Sequence, residues 1–445
     1  MDLAHPGTAA RTESGGQTRM ATRAAVASSM GSILEWIDFT TYGALAATVF
    51  PKLFFPTLST QSGLLAAFAT FGVGFFARPL GGVVFGALGD RIGRKAVLLY
   101  TLTLMGLSSF LIGCLPGYAS IGILAPTLLI CLRFLQGVAL GGEATGAQLL
   151  TMEHAPQHRR GLFGSLINLG NSASAAVANG ALYVLYAILG ETAFESWGWR
   201  VPFLLSFVLV LLGLYIRRRV SETPAFEQLK EQMVAASLTE TKAPRSRMSR
   251  ADVLTTARLI IVWLCPACCF HVINVFTLGY LTGTLKLSGQ TAFLCMTVAN
   301  VLAMGSIVAG GTASDHFGRR RTMLFSSALT LCAALAYFPL LNTANWLLIG
   351  IGIIFFVCSL QIQSGVQPAM FAEPFSTSVR YTGSAVAYTG ANLIAAGPAP
   401  FVASWLQSVG GGQTWPITAY LAGVIIISAI GVLASPETKD YDLAR

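Results

Sequence analysis

Long apolar stretches are the feature that most constrains what this sequence can fold into. A helix needs about 20 predominantly apolar residues to cross the hydrocarbon core of a bilayer. Twelve stretches approach or exceed that length, at residues 25–49, 63–88, 96–114, 120–147, 161–189, 200–216, 255–284, 291–313, 322–341, 345–371, 382–408 and 415–434. Spanning helices tolerate the Gly and Pro residues within them, because neighbouring helices satisfy the freed backbone groups. We therefore predict an all-α polytopic membrane protein with twelve transmembrane helices.

The scarcity of charged side chains excludes a soluble fold. Asp, Glu, Lys and Arg make up 11% of the 445 residues, against about 25% in soluble domains. Hydrophobic residues make up 54%, and a soluble protein of this size has too much surface to bury that share. These proportions exclude a cytosolic enzyme, a disordered chain and a small secreted domain held together by disulfides.

The basic residues are distributed as a topology signal. The net charge is +9, which by itself is compatible with a nucleic-acid partner. If the N-terminus is cytoplasmic, however, 22 of the 28 Lys and Arg residues fall in the tails and loops on the cytoplasmic side. The positive-inside rule then places both termini in the cytoplasm. We predict a multi-pass protein of the cell inner membrane with no nucleic-acid partner.

Two loops recur in the two halves of the chain. Residues 89–95 (GDRIGRK) resemble residues 314–320 (SDHFGRR) at an offset of 225, and a Glu precedes an Arg by seven residues after spans four and ten, at an offset of 220. Such an offset predicts a parallel repeat of six helices about an axis along the membrane normal. The predicted divisions are a cytoplasmic tail (1–24), a six-helix bundle (25–216), a cytoplasmic linker (217–254), a second six-helix bundle (255–434) and a second tail (435–445). Pro398 and Pro400 predict a kink in span eleven.

Several motifs resemble those of a known family. Asp90-x-x-Gly93-Arg94-Lys95 and Arg133-x-x-Gln136-Gly137 resemble the signatures of the major facilitator superfamily. The segments LEWIDF (34–39), GFFARPLGG (74–82), GGE (141–143), WGWRVPF (197–203) and ETP (222–224) resemble the metabolite:proton symporter family. The segments AAFATFGVG (66–74), QPAMF (367–371) and RYTG (380–383) are most similar to the shikimate and α-ketoglutarate permease branch of that family. The resemblance implies the major facilitator fold, with two six-helix bundles rocking around a central site, and proton-driven uptake of a small metabolite.

Two residues near the middle of the membrane are candidates for proton coupling. An ionisable group at this depth costs about 2.5–3.5 kcal/mol, so it is a functional candidate by default. Asp38 and Arg133 each lie 13 residues into their spans, which is about 20 Å along a helix, and they are placed to form a pair. Our hypothesis is that Asp38 takes up the proton and Arg133 sets its proton affinity; the alternative is a permanent structural ion pair. Glu35, one turn earlier, is either a proton relay or an ordinary acid of the inner leaflet.

Arg78 is the first candidate for substrate binding, because its planar fork matches a carboxylate at about 16 Å from the end of span two. The alternative is an internal partner such as Glu35 or Glu143. Further candidates are polar side chains at a similar level, whose alternative role is to hydrogen-bond one helix to another. They are Tyr42, Gln136, Asn171, His271, Asn274, Gln367 and Tyr388. His271 could also titrate near neutral pH, or be a neutral, hydrogen-bonded histidine.

The recurrent loops predict a gate on the cytoplasmic side. Each loop pairs an acid with a Gly that permits a tight turn, and the acid can face a helix N-terminus or a basic partner. The alternative, that the arginines only fix topology, does not explain the paired acids and glycines. The predicted gating residues are Asp90, Gly93, Arg94, Glu143, Glu153, Arg160, Asp315, Gly318, Arg319, Glu373 and Arg380.

The sequence contains few other residues or motifs that indicate a redox, metal or nucleotide site. The eight cysteines lie in or at the edges of apolar spans, which favours packing over redox or metal binding. No phosphate-binding Gly-x-x-x-x-Gly-Lys-Ser/Thr loop occurs, so we predict no cofactor, no metal and no ATP motor. The preferred interpretation is a transporter, not an enzyme, that imports a small organic acid with H+ as the driving ion and acts as a monomer in the lipid bilayer. The alternatives are a proton-coupled metabolite or drug efflux antiporter and an importer of a zwitterion such as proline or betaine.

Overall fold

The computed structural model describes residues 36–92, 94–141, 151–152, 155–208, 211, 248–377 and 379–441. Within these residues the chain is helical and contains no strand. In the first half the helices are α1 (36–48), α2 (Thr60–Ile92), α3 (Arg94–Cys114), α4 (Leu124–Leu140), α5 (Arg160–Ser196) and α6 (201–208). Short helical turns lie between them at Phe50–Phe54, Tyr118–Ile121, Gln157–Arg159 and Gly198–Arg200.

In the described part of the second half, six main helices follow. They are α7 (Arg250–His271), α8 (Gly289–Phe317), α9 (Arg319–Leu341), α10 (Trp346–Ala372), α11 (Arg380–Ala391) and α12 (Trp415–Ala434). Two of them are irregular. α7 continues through two π-helical turns, Val272–Phe276 and Tyr280–Thr284, which are separated by the short helix Thr277–Gly279. α11 continues through a π-helical turn at Asn392–Ala396, which is followed by the helix Ala399–Val409. The break before Ala399 lies at the predicted kink.

Most of these helices are long and apolar enough to cross a bilayer. Seven described helices meet that standard by length and composition, and three shorter apolar helices accompany them. Large apolar side chains are exposed on their outer faces, among them Val83, Ile188 and Phe325, at 72%, 75% and 64% of their surface. Such a surface requires lipid as its solvent. Each of the twelve predicted spans coincides with a helix over at least part of its length.

Some helix limits differ from the predicted ones for local reasons. α7 begins at Arg250, inside the predicted linker, because Ser249 and Asp252 form a reciprocal capping box at its start. α5 extends to Ser196, beyond the predicted limit of 189, and it does so past Gly190, whose φ of 74° only glycine adopts readily. Hydropathy identifies the apolar part of a helix, whereas caps and glycines set where the helix ends.

Glycine brings corresponding helices together in each half. In the first half, a Cβ on Gly81 would overlap the carbonyl oxygen of Val138, so the backbones of α2 and α4 are in contact. In the second half, a Cβ on Gly365 would overlap the carbonyl oxygen of Ile307, which puts α8 and α10 in the same relation. The second and fourth helices of both halves therefore pack through small residues, as close-packed membrane helices do.

The two halves meet along α5, which packs against α8 and α10. A Cβ on Gly161 would overlap the backbone oxygen of Gly311, so α5 and α8 touch backbone to backbone. A Cβ on Gly43 of α1 would lie 2.8 Å from a methyl carbon of Val275 in α7. The halves are thus in contact through α5 and also through α1.

Candidate functional site

A buried arginine lies at the centre of the first half. Arg133 projects from α4 and is completely buried. Its guanidinium carbon lies 3.9 Å from the centre of the Phe39 ring and 4.1 Å from that of Tyr42, both on α1. A Cβ on Gly74 of α2 would lie only 2.8 Å from the Arg133 Nε atom, so this glycine leaves room for the side chain. The close packing of α2 on α4 therefore lets a residue of α4 reach α1, where aromatic faces stabilise its charge.

Arg133 is hydrogen-bonded through Gln136 to a side chain of a third helix. Arg133 Nη1 donates a hydrogen bond of 2.5 Å to Gln136 Oε1, and Gln136 Nε2 donates one of 2.8 Å to Ser109 Oγ on α3. These three side chains are completely buried, and Asp38 on α1 is 4% exposed. No direct ion pair joins Asp38 to Arg133 among the described contacts.

A second arginine shares an aromatic ring with the first. Arg78 is half-buried on α2, and its guanidinium carbon lies 4.7 Å from the Phe39 ring, 4.5 Å from Phe75 and 5.0 Å from Trp36. Phe39 therefore contacts both guanidinium groups. Two positive charges this close repel each other, so the aromatic faces and any bound anion stabilise the arrangement.

The second half contributes His271 to the same region. Its ring lies 5.1 Å from Phe75 and 5.9 Å from Phe71, and its Nδ1 atom is 2.8 Å from the carbonyl oxygen of Ala267. That contact requires Nδ1 to carry hydrogen. The central cluster is thus formed by Asp38, Tyr42, Arg78, Arg133, Gln136 and His271, all six of which the sequence analysis singled out.

Other predicted binding residues make contacts between helices. Asn274 accepts a hydrogen bond of 2.8 Å from Asn300 and donates one of 3.0 Å to the carbonyl of Phe270. Gln367 on α10 accepts one of 3.0 Å from Asn168 on α5. For these two residues the structure displays the interhelical contact that was the alternative to substrate binding.

Two further candidates lie elsewhere on the helices. Tyr388 packs its ring 6.0 Å from that of Trp263. The Oδ1 atom of Asn171 is buried and has no hydrogen-bond partner among the described residues.

An ionic network closes the predicted cytoplasmic end. Asp315, at the end of α8, accepts hydrogen bonds of 2.8 Å and 2.9 Å from the backbone N–H groups of Gly161 and Leu162. These groups begin α5, so an acid of one half caps a helix of the other half. Arg319 joins Asp315 at 2.7 Å to Glu373 at 2.9 Å. The repeated acid of the second loop therefore lies at the contact between the halves.

The turn that carries this network depends on one glycine. Gly318 has a φ of 96° between α8 and α9, a conformation that other residues rarely adopt. This places Arg319 beside Asp315 in the tight turn that the sequence predicted. Burial raises the pKa of the Glu373 carboxyl group, and the Arg319 charge opposes that rise. Arg380 donates hydrogen bonds of 3.2 Å to the carbonyl oxygen of Ala372, the last residue of α10, and to that of Phe375.

Residues 437–441, which we call the C-terminal strap, cross this network and join both halves. Glu437 accepts hydrogen bonds from the backbone N–H groups of Arg319 and Arg320 at 2.8 Å and 3.0 Å. Thr438 donates one of 2.6 Å to Glu373, and Arg160 of the first half donates one of 2.7 Å to the carbonyl of Tyr441.

The sequence analysis missed the strap. A signal was present, because a Glu-Thr pair follows span six (222–223) and span twelve (437–438).

Part of the predicted site falls outside the described residues. This applies to Glu35, Gly93, Glu143 and Glu153, and to the side chains of Asp90 and Arg94. The first copy of the repeated loop therefore remains a prediction, as does the relay role of Glu35.

Comparison with known proteins gives a consistent result. The family model described as Major Facilitator Superfamily matches residues 29–397. The chain is 38% identical to the Inner membrane metabolite transport protein YhjE of Escherichia coli over 94% of each chain. It is 35% identical to the Shikimate transporter of Escherichia coli, over 94% of this chain and 95% of that one. It is 34% identical to the Glycine betaine/proline/ectoine/pipecolic acid transporter OusA of Dickeya dadantii, over 94% and 83%.

A solved structure resembles the whole fold. The partially occluded, inward-open xylose transporter XylE from E. coli superposes with a TM-score of 0.73 at 15% identity, over 95% of this chain and 99% of that one. At that identity the similarity concerns the fold alone, which has the twelve helices predicted from the apolar stretches.

Proposed function

The chain belongs to the major facilitator superfamily and is a membrane transporter for a metabolite, and from this premise we propose that it imports a small organic acid together with a proton. The proposal places it in the inner membrane with both termini in the cytoplasm. Uptake proceeds by alternating access, in which the two six-helix halves rock around the central cluster.

The observation that carries the proposal is the pair of arginines that share the ring of Phe39. Arg133 is completely buried, and its Nε and Nη2 atoms have no hydrogen-bond partner among the described residues. A buried cation that forms no ion pair with a described residue is costly in a membrane protein, so we expect Arg133 to be retained for a function. A carboxylate that enters the cluster would meet two guanidinium groups, and the Nε and Nη2 atoms of Arg133 can bind it through two parallel hydrogen bonds.

The same geometry favours an acid over a betaine. Quaternary ammonium groups bind to the open faces of aromatic rings. Here the rings of Phe39 and Tyr42 lie 3.9 Å and 4.1 Å from the Arg133 guanidinium carbon, so a cation of the protein already covers them. A zwitterion would bring a second positive charge to this place. In the described part of the central cluster, the rings of Phe39 and Tyr42 are therefore not open to the quaternary ammonium group of a betaine.

Asp38 supplies a place for the driving proton. A carboxylate in the membrane is expensive when charged, and binding a proton removes that cost. Asp38 directly precedes Phe39, whose ring contacts Arg133, so the proton and substrate charges are within electrostatic reach of each other. A proton that enters with the anion also lowers the net charge that must cross the membrane, which links the two movements.

Uptake into proteoliposomes with an imposed proton gradient tests the proposal. The panel consists of shikimate, α-ketoglutarate, citrate, benzoate and betaine. We expect one of the acids to accumulate above equilibrium when the outside is acidic, with betaine inactive. Accumulation of betaine alone, or export driven by outside acid, would refute it.

Replacement of Asp38 tests the proton step. Asp38→Asn should retain exchange of labelled for unlabelled substrate, since the arginines remain, but should lose uphill uptake. The matched control is Asp252→Asn, which removes the same charge from the exposed capping box of α7. It should accumulate substrate as the parent protein does.

A further inference from the structure

We propose that His271 selects the substrate class, because its Nε2 atom accepts a hydrogen bond from a hydroxyl group of the bound acid. The inference rests on the proposed function and narrows the small organic acid to a hydroxy acid. It is carried by the position of His271 at the end of α7, where the second half places an imidazole against the same aromatic rings that hold both arginines of the first half.

The contact that the His271 ring makes with its own helix fixes the role of each ring nitrogen. Nδ1 lies 2.8 Å from the carbonyl oxygen of Ala267, one turn earlier on α7. A carbonyl oxygen can only accept, so Nδ1 carries the hydrogen, and in the neutral ring the lone pair is on Nε2. Nε2 receives no hydrogen bond from the described residues. This nitrogen is therefore available to a donor that belongs to the substrate.

A hydroxyl group is the donor that suits this position. His271 contacts the rings of Phe75 and Phe71 at 5.1 Å and 5.9 Å. The same two rings lie 4.5 Å and 5.3 Å from the guanidinium carbons of Arg78 and Arg133, respectively. An ammonium donor would add a positive charge near these two, which Coulomb repulsion opposes. A carboxylate has no hydrogen to donate to Nε2 and is matched to the arginines instead.

His271 and Arg78 are close enough together to bind one small molecule. Both groups contact the ring of Phe75, the histidine ring at 5.1 Å and the guanidinium carbon at 4.5 Å. The two groups are therefore at most about 10 Å apart, a gap that one small acid can bridge with a hydrogen bond of about 2.9 Å at each end. The carboxylate then binds the first half and the hydroxyl binds the second half, so the substrate itself joins the two halves.

An acid without the hydroxyl group should bind poorly for a definite reason. His271 is only 5% exposed, so a bound molecule excludes water from its ring. If that molecule has no donor for Nε2, the nitrogen loses its hydrogen bond to water and gains none in return. A site built to bind a hydroxyl group rejects the analogue that lacks it, because the buried partner is left unpaired.

Titration calorimetry on the purified full-length protein tests this preference with two pairs of acids. One pair is citrate and propane-1,2,3-tricarboxylate, which differ by a single hydroxyl group. The other is shikimate and cyclohex-1-ene-1-carboxylate, which differ by three. We expect the hydroxylated member of at least one pair to bind, and its partner to bind about 10-fold to 100-fold more weakly.

Variants of His271 assign the preference to its Nε2 atom. His271→Phe keeps a ring against Phe71 and Phe75 but has no acceptor, so the ratio of the two dissociation constants should fall about tenfold, through weaker binding of the hydroxy acid alone. His271→Gln supplies an amide oxygen as acceptor and should keep most of the ratio. The matched control is His316→Phe, because His316 makes the same kind of contact, from Nδ1 to the Thr312 carbonyl at 2.9 Å, but is exposed at the end of α8. It should leave both dissociation constants unchanged.

The outcomes that overturn the inference do not all require a variant. Equal binding of both members of each pair to the parent protein overturns it, as does the absence of binding by either hydroxy acid. An equal loss of affinity for both members in His271→Phe also overturns it, because the residue is then structural.

The failure of this inference is distinguishable from the failure of the proposed function. If a hydroxy acid binds with the expected ratio but does not accumulate with the proton gradient, proton-driven import is refuted and the assignment of His271 stands. If benzoate or α-ketoglutarate accumulates and neither hydroxy acid binds, import with a proton stands and the assignment of His271 is refuted.

Discussion

Replacing Asp315 by Asn should open the predicted cytoplasmic end of the transporter. The Asp315 carboxylate accepts hydrogen bonds from the N–H groups of Gly161 and Leu162, which belong to the other half. Its contact with Arg319 lies within one half and persists when the halves separate. Hydrogen bonds to a charged group contribute about 1.5 kcal/mol or more each, and neutral ones about 1 kcal/mol. Asn can accept only one of the two bonds, so the closed state loses about 2 kcal/mol relative to the open state.

A loss of this size is large enough to measure. About 2 kcal/mol shifts the equilibrium about 30-fold, so a closed population of about 90% would fall to about 25%. Spin labels at Arg159 and Phe317, both exposed and at the facing ends of α5 and α8, report the separation by pulsed electron resonance. The labels require a background in which the eight cysteines are replaced and transport is retained.

The matched control separates gating from helix capping. Asp252→Asn removes an acid that caps α7 within a single half, so it should leave the distance distribution unchanged. A long-distance population in Asp315→Asn but not in Asp252→Asn agrees with the reasoning. An unchanged distribution in Asp315→Asn would show that these two hydrogen bonds do not hold the end closed.

Three other outcomes are expected. Arg78→Lys keeps the charge but loses the planar fork, so the KM for the transported acid should rise about tenfold with little change in maximal rate. The control is Arg200→Lys, because Arg200 also lies over an aromatic ring. It should leave KM unchanged in the same uptake assay. Gly365→Ala forces α10 away from α8, so it should lower the free energy of unfolding by about 1–3 kcal/mol and lower the melting temperature in detergent. A Cβ at Gly350 on the same helix meets no atom within 4 Å. Gly350→Ala should therefore have the melting temperature of the parent protein. Glu437→Gln weakens the hold of the C-terminal strap on α9 by about 1 kcal/mol, and should accelerate proteolytic removal of the strap; an unchanged rate would contradict the described contacts.

The fold was predictable because the bilayer leaves few choices. Every spanning segment must satisfy its own backbone hydrogen bonds, so long apolar stretches become helices and their number gives the architecture. The twelve-helix prediction and the membership of the major facilitator superfamily are confirmed by the family model and the solved neighbour. The π-helical turns of α7 were not predicted, because no residue pattern distinguishes such a turn from ordinary helix.

The depth of the site residues in the membrane was predictable, but the contacts between them were not. Counting residues along a helix places Asp38 and Arg133 at the same level. It does not say how each helix is rotated or how far apart two helices lie. Ser109 was therefore missed, although it is hydrogen-bonded to Gln136 in the central cluster, and Gln367 was considered for substrate although it bonds to Asn168. The roles of these residues in binding and coupling remain predictions until transport is measured.

The C-terminal strap imposes an order on biosynthesis. The helices of both halves can enter the membrane as they are translated, and each half can pack through its own glycine contacts. Arg160, by contrast, is translated long before its hydrogen-bond partner Tyr441, and Glu373 is translated before its partner Thr438. During synthesis there is consequently a stage at which all twelve helices have been translated but the predicted cytoplasmic end lacks the hydrogen bonds of the C-terminal strap. Maturation of the transporter is complete only when translation has passed residue 441.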